Sequence, residues 1–482
     1  MLKQRSFKAV IWSASDAFLR TGLQFVVSIA LARLLTPEDF GTVALLYLFV
    51  GVAHVFVDGG FTSALIQKQD STHADESTVF WFNLLMGAIT ASLLAAFAPL
   101  IADFYDAPIL VPLARIVALS IFLNGLSALQ ITLLKKGLRF KLLLAVGGVS
   151  TFFSGTVAIV LAVKGYGVWA LAAQTVTASA VLLLLVWILQ GWRPTMKISI
   201  SSARDLFGFS SYMLASRLLD VTYNRLYTLT IGRLYGVEEI GYYIRADNTK
   251  QLPTSLLSGV LSSVAYPTFA TIGSDKARLL RGVRLAARIV MAINLPLMFG
   301  LIIVAKPVVV VLFGTQWLPC VPILQILCMA AVLMPLQVIY GNALLAQGHA
   351  NVYFRIELTK KLFAILAIAV SSLYGVIWVA WAQVAISMIS FTISALYIKR
   401  YLQYSLKGQF LDCFPPFGAA VAMASLVWLI SDKLAGAPIT SLILTTILGA
   451  SLYAGVGWLF GLRSFNEVRG LLAERIGHRS SS

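Results

Sequence analysis

Residues 33–41 read Arg33-Leu34-Leu35-Thr36-Pro37-Glu38-Asp39-Phe40-Gly41, and residues 233–241 read Arg233-Leu234-Tyr235-Gly236-Val237-Glu238-Glu239-Ile240-Gly241. The Arg-Leu pair, the acidic pair and the closing glycine recur at a constant offset of 200 residues. Each copy lies between two long apolar segments, which is typical of the turn of a helical hairpin. A repeat of this kind indicates the architecture directly. We therefore interpret the chain as a duplicated helical unit. The charged residues of the two turns are interpreted as an outer-surface clasp between the first and second helix of each unit rather than as substrate ligands.

The composition indicates an integral membrane protein. Of the 482 residues, 59% are hydrophobic and only 12% are charged, whereas an average soluble domain has about 25% charged residues. We predict an all-α polytopic membrane protein with about 14 transmembrane helices. Hydropathy places these helices near residues 8–32, 41–66, 78–102, 110–134, 141–163, 168–190, 206–232, 240–268, 286–305, 321–346, 354–373, 376–398, 412–431 and 439–461.

The net charge of +17 is interpreted as a topology signal, so no nucleic-acid partner is predicted. Lys and Arg concentrate in alternate loops, for example at Lys135, Lys136, Arg139 and Lys141. By the positive-inside rule these loops are cytoplasmic. The same bias predicts that both the N-terminus and the C-terminus are cytoplasmic.

A second matching pair of segments supports the duplication. The run Tyr166-Gly167-Val168-Trp169-Ala170-Leu171-Ala172-Ala173-Gln174 returns as Tyr374-Gly375-Val376-Ile377-Trp378-Val379-Ala380-Trp381-Ala382-Gln383, with one residue inserted. We predict a six-helix lobe at 1–200, a second at 201–400, and an extra transmembrane helix pair with a cytoplasmic tail at 401–482. The additional residues of the second lobe fit at 313–319. Lobes with an even number of helices are parallel repeats, and transporters built from such repeats bind substrate between the halves.

Charged residues inside the predicted helices form the candidate site. A charge at the centre of a span costs about 2.5–3.5 kcal/mol, so it faces a partner or a wet cavity. Guanidinium groups bind phosphate through two parallel hydrogen bonds. The candidate substrate-binding residues are Arg217, Arg225, Arg245, Lys250 and Arg20. The accompanying acids are Asp16, Asp58, Asp220 and Asp247, which either bridge helices or couple transport to an ion.

Among these acids, Asp58 and Asp220 are the candidates for coupling to Na⁺ or H⁺. Two other intramembrane bases, Arg115 and Arg288, are interpreted as reaching to the membrane interface. The repeat offset aligns Arg20 with Asp220. This alignment predicts that the polar faces of the two repeat-leading helices occupy equivalent places.

No catalytic motif is present in the sequence. It contains no G-x-x-x-x-G-K-[ST], H-E-x-x-H or G-x-S-x-G pattern. The cysteines Cys320, Cys328 and Cys413 lack metal-ligand spacing. We therefore predict a transporter that is not an enzyme, with no catalytic residues, no metal and no cofactor.

Three stretches resemble the polysaccharide-transporter branch of the MOP superfamily, the Wzx-type flippases of colanic-acid and exopolysaccharide clusters. They are Ala32 to Gly41, the run Leu133-Leu134-Lys135-Lys136-Gly137-Leu138-Arg139-Phe140-Lys141, and the turn Tyr166-Gly167-Val168-Trp169-Ala170-Leu171. The resemblance covers about residues 1–400 well and the last two helices loosely.

The resemblance implies a bacterial inner-membrane protein that works by alternating access of two six-helix lobes. Its implied substrate is an undecaprenyl-pyrophosphate-linked oligosaccharide repeat unit, moved from the cytoplasmic to the periplasmic leaflet for exopolysaccharide or lipopolysaccharide biosynthesis. An ion gradient is the implied energy source. The implied partners are this lipid-linked oligosaccharide and the bilayer, with a polysaccharide polymerase and a chain-length regulator as further candidates.

Two alternatives stay open at this stage. A MATE-like ion-coupled exporter of small amphipathic compounds would share the fold, although a cationic cavity would repel drug cations. A membrane-embedded glycosyl-transferring enzyme or an assembly scaffold is the other alternative, and the short outer loops argue against it.

Overall fold

The computed structural model describes residues 21–59, 61–68, 70–196, 200–431 and 438–459, and within these ranges the regular structure is helical. The helices are α1 (Thr21–Leu34), α2 (Pro37–Asp58), α3 (Phe61–Gln67), α4 (His73–Tyr105), α5 (Leu110–Lys136), α6 (Phe140–Val163), α7 (Val168–Gln190), α8 (Ile200–Tyr235), α9 (Val237–Ile272), α10 (Lys276–Ile303), α11 (Ala305–Leu312), α12 (Cys320–Ala331), α13 (Met334–Ala346), α14 (Ala350–Ser371), α15 (Val376–Leu402), α16 (Leu406–Ser431) and α17 (Pro438–Leu459). A short 3₁₀ turn at Thr315–Trp317 precedes α12. The prediction of an all-α chain is confirmed.

Ten helical segments in the described part of the chain are long and apolar enough to cross a membrane. Helices α8, α9 and α14 coincide with predicted spans but are not among these ten. Helices α8 and α9 carry candidate site residues within their length. The chain is thus a multi-pass membrane protein, and the total of about 14 spans stays a prediction.

The chain divides into two compact units, residues 1–241 and 242–482. In the first unit, α5 packs against α4 and α7, while α2 packs against α8. In the second unit, α10 packs against α16, and α15 packs against α12 and α14. The predicted lobe boundaries near residues 200 and 400, and the parallel arrangement of the lobes, stay predictions.

One predicted span in each unit is broken into two helices. Helix α2 ends at Asp58, and Gly59 takes a left-handed conformation with φ of +54° before α3 begins. A Cβ atom on Gly59 would lie 2.7 Å from a ring carbon of Phe82, so both the turn and its neighbour require glycine. In the second unit α12 ends at Ala331, and α13 restarts with Pro335 in its first turn, where proline is tolerated.

Buried polar groups satisfy the carbonyls that the second break exposes. The side-chain Nδ2 of Asn294 donates to the carbonyl oxygen of Val332 at 2.9 Å, and the hydroxyl of Ser387 donates to that of Ala330 at 2.7 Å. Asn294 is fully buried. An unpaired buried carbonyl is costly, so these two side chains hold the break in place.

Candidate functional site

The two copies of the duplicated turn contact each other through their glycines. A Cβ atom on Gly41 would lie 1.6 Å from the carbonyl oxygen of Val237, and one on Gly241 would lie 2.0 Å from that of Pro37. The contact is reciprocal, because each glycine meets the residue that begins the other helix. Only glycine allows backbones to approach this closely. We call this backbone-to-backbone contact between the two turns the glycine clasp.

The acidic and basic residues of the turns lie around this contact rather than in a cavity. The first turn carries a capping box, in which the hydroxyl of Thr36 accepts from the backbone N–H of Asp39 at 3.2 Å. In the second, Arg233 pairs with Asp106 at 2.6 Å and lies over the ring of Phe104. These pairs fix where α2 begins and where α8 ends.

Arg217 and Asp58 form an ion pair at the break between α2 and α3. Asp58 is the last residue of α2, where the negative end of the helix dipole disfavours a carboxylate. The guanidinium of Arg217, from α8, offsets that charge. Neither side chain is fully buried, since 39% of the Arg217 side chain and 27% of the Asp58 side chain are exposed. The pair is therefore accessible to a ligand.

Two further predicted residues lie on the same helix, α8. The guanidinium of Arg225 lies 5.6 Å from the centroid of the Tyr47 ring, within cation–π distance. Arg225 is half-buried and Asp220 is exposed. The first unit thus holds Arg217 beside Asp58, and it holds Arg225, which keeps part of its surface accessible, about two turns further along α8 beside Tyr47.

Arg245 lies in a different environment, inside the second unit. Its guanidinium is 4.8 Å from the ring centroid of Phe313 and 4.7 Å from that of Trp317, and only 4% of the residue is exposed. Both aromatic residues belong to the segment 313–319, which we predicted as the insertion of the second repeat. The insertion therefore supplies aromatic faces that cover this arginine.

Lys250 is also buried, with 5% of the residue exposed, and its ammonium pairs with Asp247 at 2.6 Å. The pair spans one turn of α9, and Asp247 keeps 39% of its side chain exposed. Burial therefore separates the predicted ligands into two sets. Arg217 and Arg225 are accessible, whereas Arg245 and Lys250 are enclosed by protein.

The remaining predicted site residues, Asp16 and Arg20, lie outside the described residues. Their role, and the alignment of Arg20 with Asp220, stay predictions. So does the expectation of a binding site between the halves. Among the described residues no cluster of His, Cys, Asp and Glu has the arrangement of a metal site.

One charged cluster was missed by the sequence analysis. Asp412 of α16 is 6% exposed and accepts hydrogen bonds from Arg284 Nε at 2.7 Å, Arg288 Nη1 at 3.3 Å and the Tyr404 hydroxyl at 2.5 Å. Arg284 is not among the predicted site residues, and Arg288 is predicted to reach the membrane interface. Both instead reach one carboxylate from α10. The sequence does contain a signal for this cluster. Arg284 and Arg288 are four residues apart on one helix, and Asp412 is a single acid in a largely apolar helix.

An apolar groove runs along the second unit, between α15 and α16, over α10, α12 and α13. Its volume is about 690 Å³. The lining is almost entirely hydrophobic and includes Phe299, Leu333, Trp381, Phe391 and Phe417. Exposed aromatic side chains of α16 border it, so the groove is open at its surface.

A helical membrane protein with broken helices and ion pairs inside its spans has the features of a secondary transporter. The chain belongs to the polysaccharide biosynthesis protein family, whose model matches residues 30–322.

Its relatives agree with this assignment. The chain is 27% identical over 429 residues to the teichuronic acid biosynthesis protein TuaB of Bacillus subtilis (strain 168), covering 87% of this chain and 88% of that one. It is 27% identical over 446 residues to the succinoglycan biosynthesis transport protein ExoT of Rhizobium meliloti (strain 1021), and the match covers 92% of this chain and 89% of ExoT. Both belong to polysaccharide biosynthesis by name.

Solved structures define the fold. The lipid II flippase MurJ in its inward closed conformation matches with a TM-score of 0.77 at 16% identity, covering 93% of this chain and 98% of that one. An inward-facing MATE family transporter of the MOP superfamily matches with a TM-score of 0.59 at 16% identity, covering 81% and 99%. The chain thus shares the fold of these two structures, which are by title a flippase and a transporter.

Proposed function

We propose that the chain is a flippase for undecaprenyl-pyrophosphate-linked oligosaccharide repeat units. It moves them from the cytoplasmic to the periplasmic leaflet by alternating access, for exopolysaccharide or lipopolysaccharide biosynthesis. The family assignment supports this function, as do relatives named for teichuronic acid and succinoglycan. The observation that carries the site proposal is the partly exposed Arg217–Asp58 pair at the break of α2.

In this proposal, the pyrophosphate group binds Arg217 and Arg225. A guanidinium binds a phosphate oxygen pair in the same bidentate manner as a carboxylate, so pyrophosphate competes with Asp58 for Arg217. Arg225 supplies a second charge from the same helix. The enclosed Arg245 and Lys250 are better suited to holding α9 in position than to direct contact, although both stay candidate ligands.

We propose coupling to Na⁺ or H⁺ through Asp58, with Asp220 as the second candidate. A proton or sodium ion on the Asp58 carboxylate weakens its attraction for Arg217. Ion occupancy and pyrophosphate binding are then linked at one residue, which is what coupling requires. No cofactor is needed for this scheme.

The lipid part of the substrate requires apolar surface, and the groove between α15 and α16 offers it. We place the protein in the bacterial inner membrane with both termini cytoplasmic, in line with its basic loops. A polysaccharide polymerase and a chain-length regulator are the proposed protein partners, because the flipped units must be joined on the far side.

The alternative is a MATE-like exporter of small amphipathic compounds, which the shared fold allows. Two accessible arginines in the first unit favour an anionic ligand over a drug cation. The lower TM-score of the MATE structure and the polysaccharide family assignment also favour the flippase.

The test uses a host strain deleted for the chain and complemented with variants at matched expression. We expect Arg217→Gln and Arg225→Gln to abolish export and to accumulate polyprenyl-linked repeat units in the cytoplasmic leaflet. Arg193→Gln is the matched control, because its exposed side chain stacks on Trp187 near the end of α7. Normal export from the Arg217→Gln, Arg225→Gln double variant would remove the pyrophosphate-site proposal. Unchanged lipids with altered drug sensitivity would favour the exporter.

A further inference from the structure

Two arginines of α10 share a single acid. The Oδ2 atom of Asp412 accepts from Arg284 Nε and from the Tyr404 hydroxyl, and its Oδ1 atom accepts from Arg284 Nη2 at 3.2 Å and from Arg288 Nη1 at 3.3 Å. Four donors fill the acceptor positions of one carboxylate. Burial raises the pKa of the Tyr404 hydroxyl, so it stays protonated as a donor. The cluster therefore carries an excess positive charge that Asp412 does not neutralise.

The excess charge lies at an accessible place. The side chain of Arg284 is 39% exposed, whereas that of Arg288 is 16% exposed. Arg281 is exposed one turn earlier on α10. Residues 281, 284 and 288 have the spacing i, i+3 and i+7, which places all three on one face of the helix. One helix face thus presents three arginines, of which Arg284 and Arg288 share Asp412.

This face lies at the basic end of the second unit. Exposed cations on the neighbouring ends of α15 and α16 increase the positive potential there, namely Lys399, Arg400 and Lys407. The charge bias assigns this end to the cytoplasmic side. Basic pockets between transmembrane helices on that side suit the head groups of anionic lipids. Arginine suits a phosphodiester because it binds two of its oxygens at once.

We propose that Arg281, Arg284 and Arg288 form a binding site for the phosphate of an anionic phospholipid of the inner leaflet. Asp412 and Tyr404 hold Arg284 and Arg288 in place, and Arg281 and the exposed edge of Arg284 contact the phosphate. The exposed Leu411, next to Asp412 on α16, offers apolar surface for an acyl chain. The site is separate from Arg217 and Arg225, so it stands or falls independently of the proposed function.

The experiment measures lipid retained by the purified full chain, by native mass spectrometry after exchange into detergent with phosphatidylglycerol or phosphatidylethanolamine. Each basic residue near an anionic surface contributes enough for about a fivefold change in affinity. We therefore expect Arg281→Gln and Arg284→Gln each to weaken phosphatidylglycerol retention about fivefold. The control, Arg355→Gln, removes an exposed charge from α14 and should change retention less than about twofold.

A variant that should increase lipid retention complements the arginine variants. Asp412→Asn removes the negative charge beside the site but keeps a side-chain oxygen that can still accept a hydrogen bond from the arginines, so retention of phosphatidylglycerol should rise while that of phosphatidylethanolamine stays unchanged. If Asp412→Asn does not yield folded protein, the two arginine variants decide the matter alone. Equal retention by Arg281→Gln, Arg284→Gln and Arg355→Gln would overturn the proposal. Displacement of the lipid by inorganic phosphate, but not by chloride at equal ionic strength, would replace the lipid with free phosphate as the ligand.

Discussion

The contact between Gly41 and Val237 in the first unit gives a sharp prediction about stability. Replacing Gly41 with Ala puts a methyl group 1.6 Å from the Val237 carbonyl oxygen, whereas ordinary contact begins at 3.4 Å. The two turns must therefore separate by about 1.8 Å. Neither neighbour can yield by rotating a side chain, because the clash is with backbone. Overpacking of this kind costs up to about 3 kcal/mol.

The net effect is smaller, because alanine favours a helix over glycine by about 1 kcal/mol. We expect Gly41→Ala to destabilise the protein by about 2 kcal/mol, which lowers the unfolding temperature by about 4–8 °C in a unit of this size. The assay is thermal unfolding of the purified protein in detergent, followed by intrinsic fluorescence. The matched control is Gly148→Ala in α6, where an added Cβ meets nothing within 4 Å.

The reciprocal contact at Gly241 gives a second arm to the same experiment. An alanine there would lie 2.0 Å from the Pro37 carbonyl oxygen. Once one substitution has separated the turns, the other should cost less, so the double variant should lose less than the two single losses together. An unfolding temperature for Gly41→Ala at or above that of Gly148→Ala would refute the tight clasp.

Three further predictions concern positions outside the clasp. Trp317→Ala should destabilise the protein by about 3–5 kcal/mol, because it opens a cavity and uncovers Arg245. The control Trp428→Ala, at a position that is 66% exposed, should leave stability unchanged. Thermal unfolding in detergent measures both variants. Asn294→Leu should cost about 1–3 kcal/mol by leaving the Val332 carbonyl unpaired, and equal stability of that variant and wild type would contradict this. The backbone N–H of Arg278 lowers the pKa of Asp275 at the start of α10, so wild type should unfold at a higher temperature than Asp275→Asn near neutral pH. That difference should vanish as the pH falls through the lowered pKa, and a difference that persists in acid would count against the cap.

The helices were predictable because membrane spans depend on one property, a long apolar run. Residues 140–163 and 168–190, for example, form α6 and α7 within a few positions of the predicted spans. The repeat offset identified the two turns as equivalent, whereas their close contact through Gly41 and Gly241 is visible only in the structure.

The candidate site was only partly predictable. The sequence located Asp58 and Arg217 inside spans, but their pairing depends on how α8 packs against α2, which no local pattern encodes. The sequence also predicted both Arg245 and Arg217 as substrate ligands. In the structure, the aromatic rings of Phe313 and Trp317 cover Arg245 but not Arg217. Asp412 was overlooked because it stands at the edge of an apolar run, where a charge normally meets water.

The reason for these failures is physical. A charge in a membrane helix has the same sequence signature whether it faces a ligand, a partner or a covering side chain. Only tertiary packing separates the three cases, and side-chain exposure is the quantity that distinguishes Arg217 from Lys250.

The proposed activity is the movement of a pyrophosphate-linked lipid across a bilayer. The most direct measurement uses proteoliposomes that contain the purified protein and a fluorescent undecaprenyl-pyrophosphate-linked oligosaccharide, with a membrane-impermeant quencher added outside. We expect an imposed Na⁺ or H⁺ gradient to change the quenched fraction with wild type and not with Arg217→Gln. Equal quenching with wild type, with Arg217→Gln and with protein-free vesicles would contradict it.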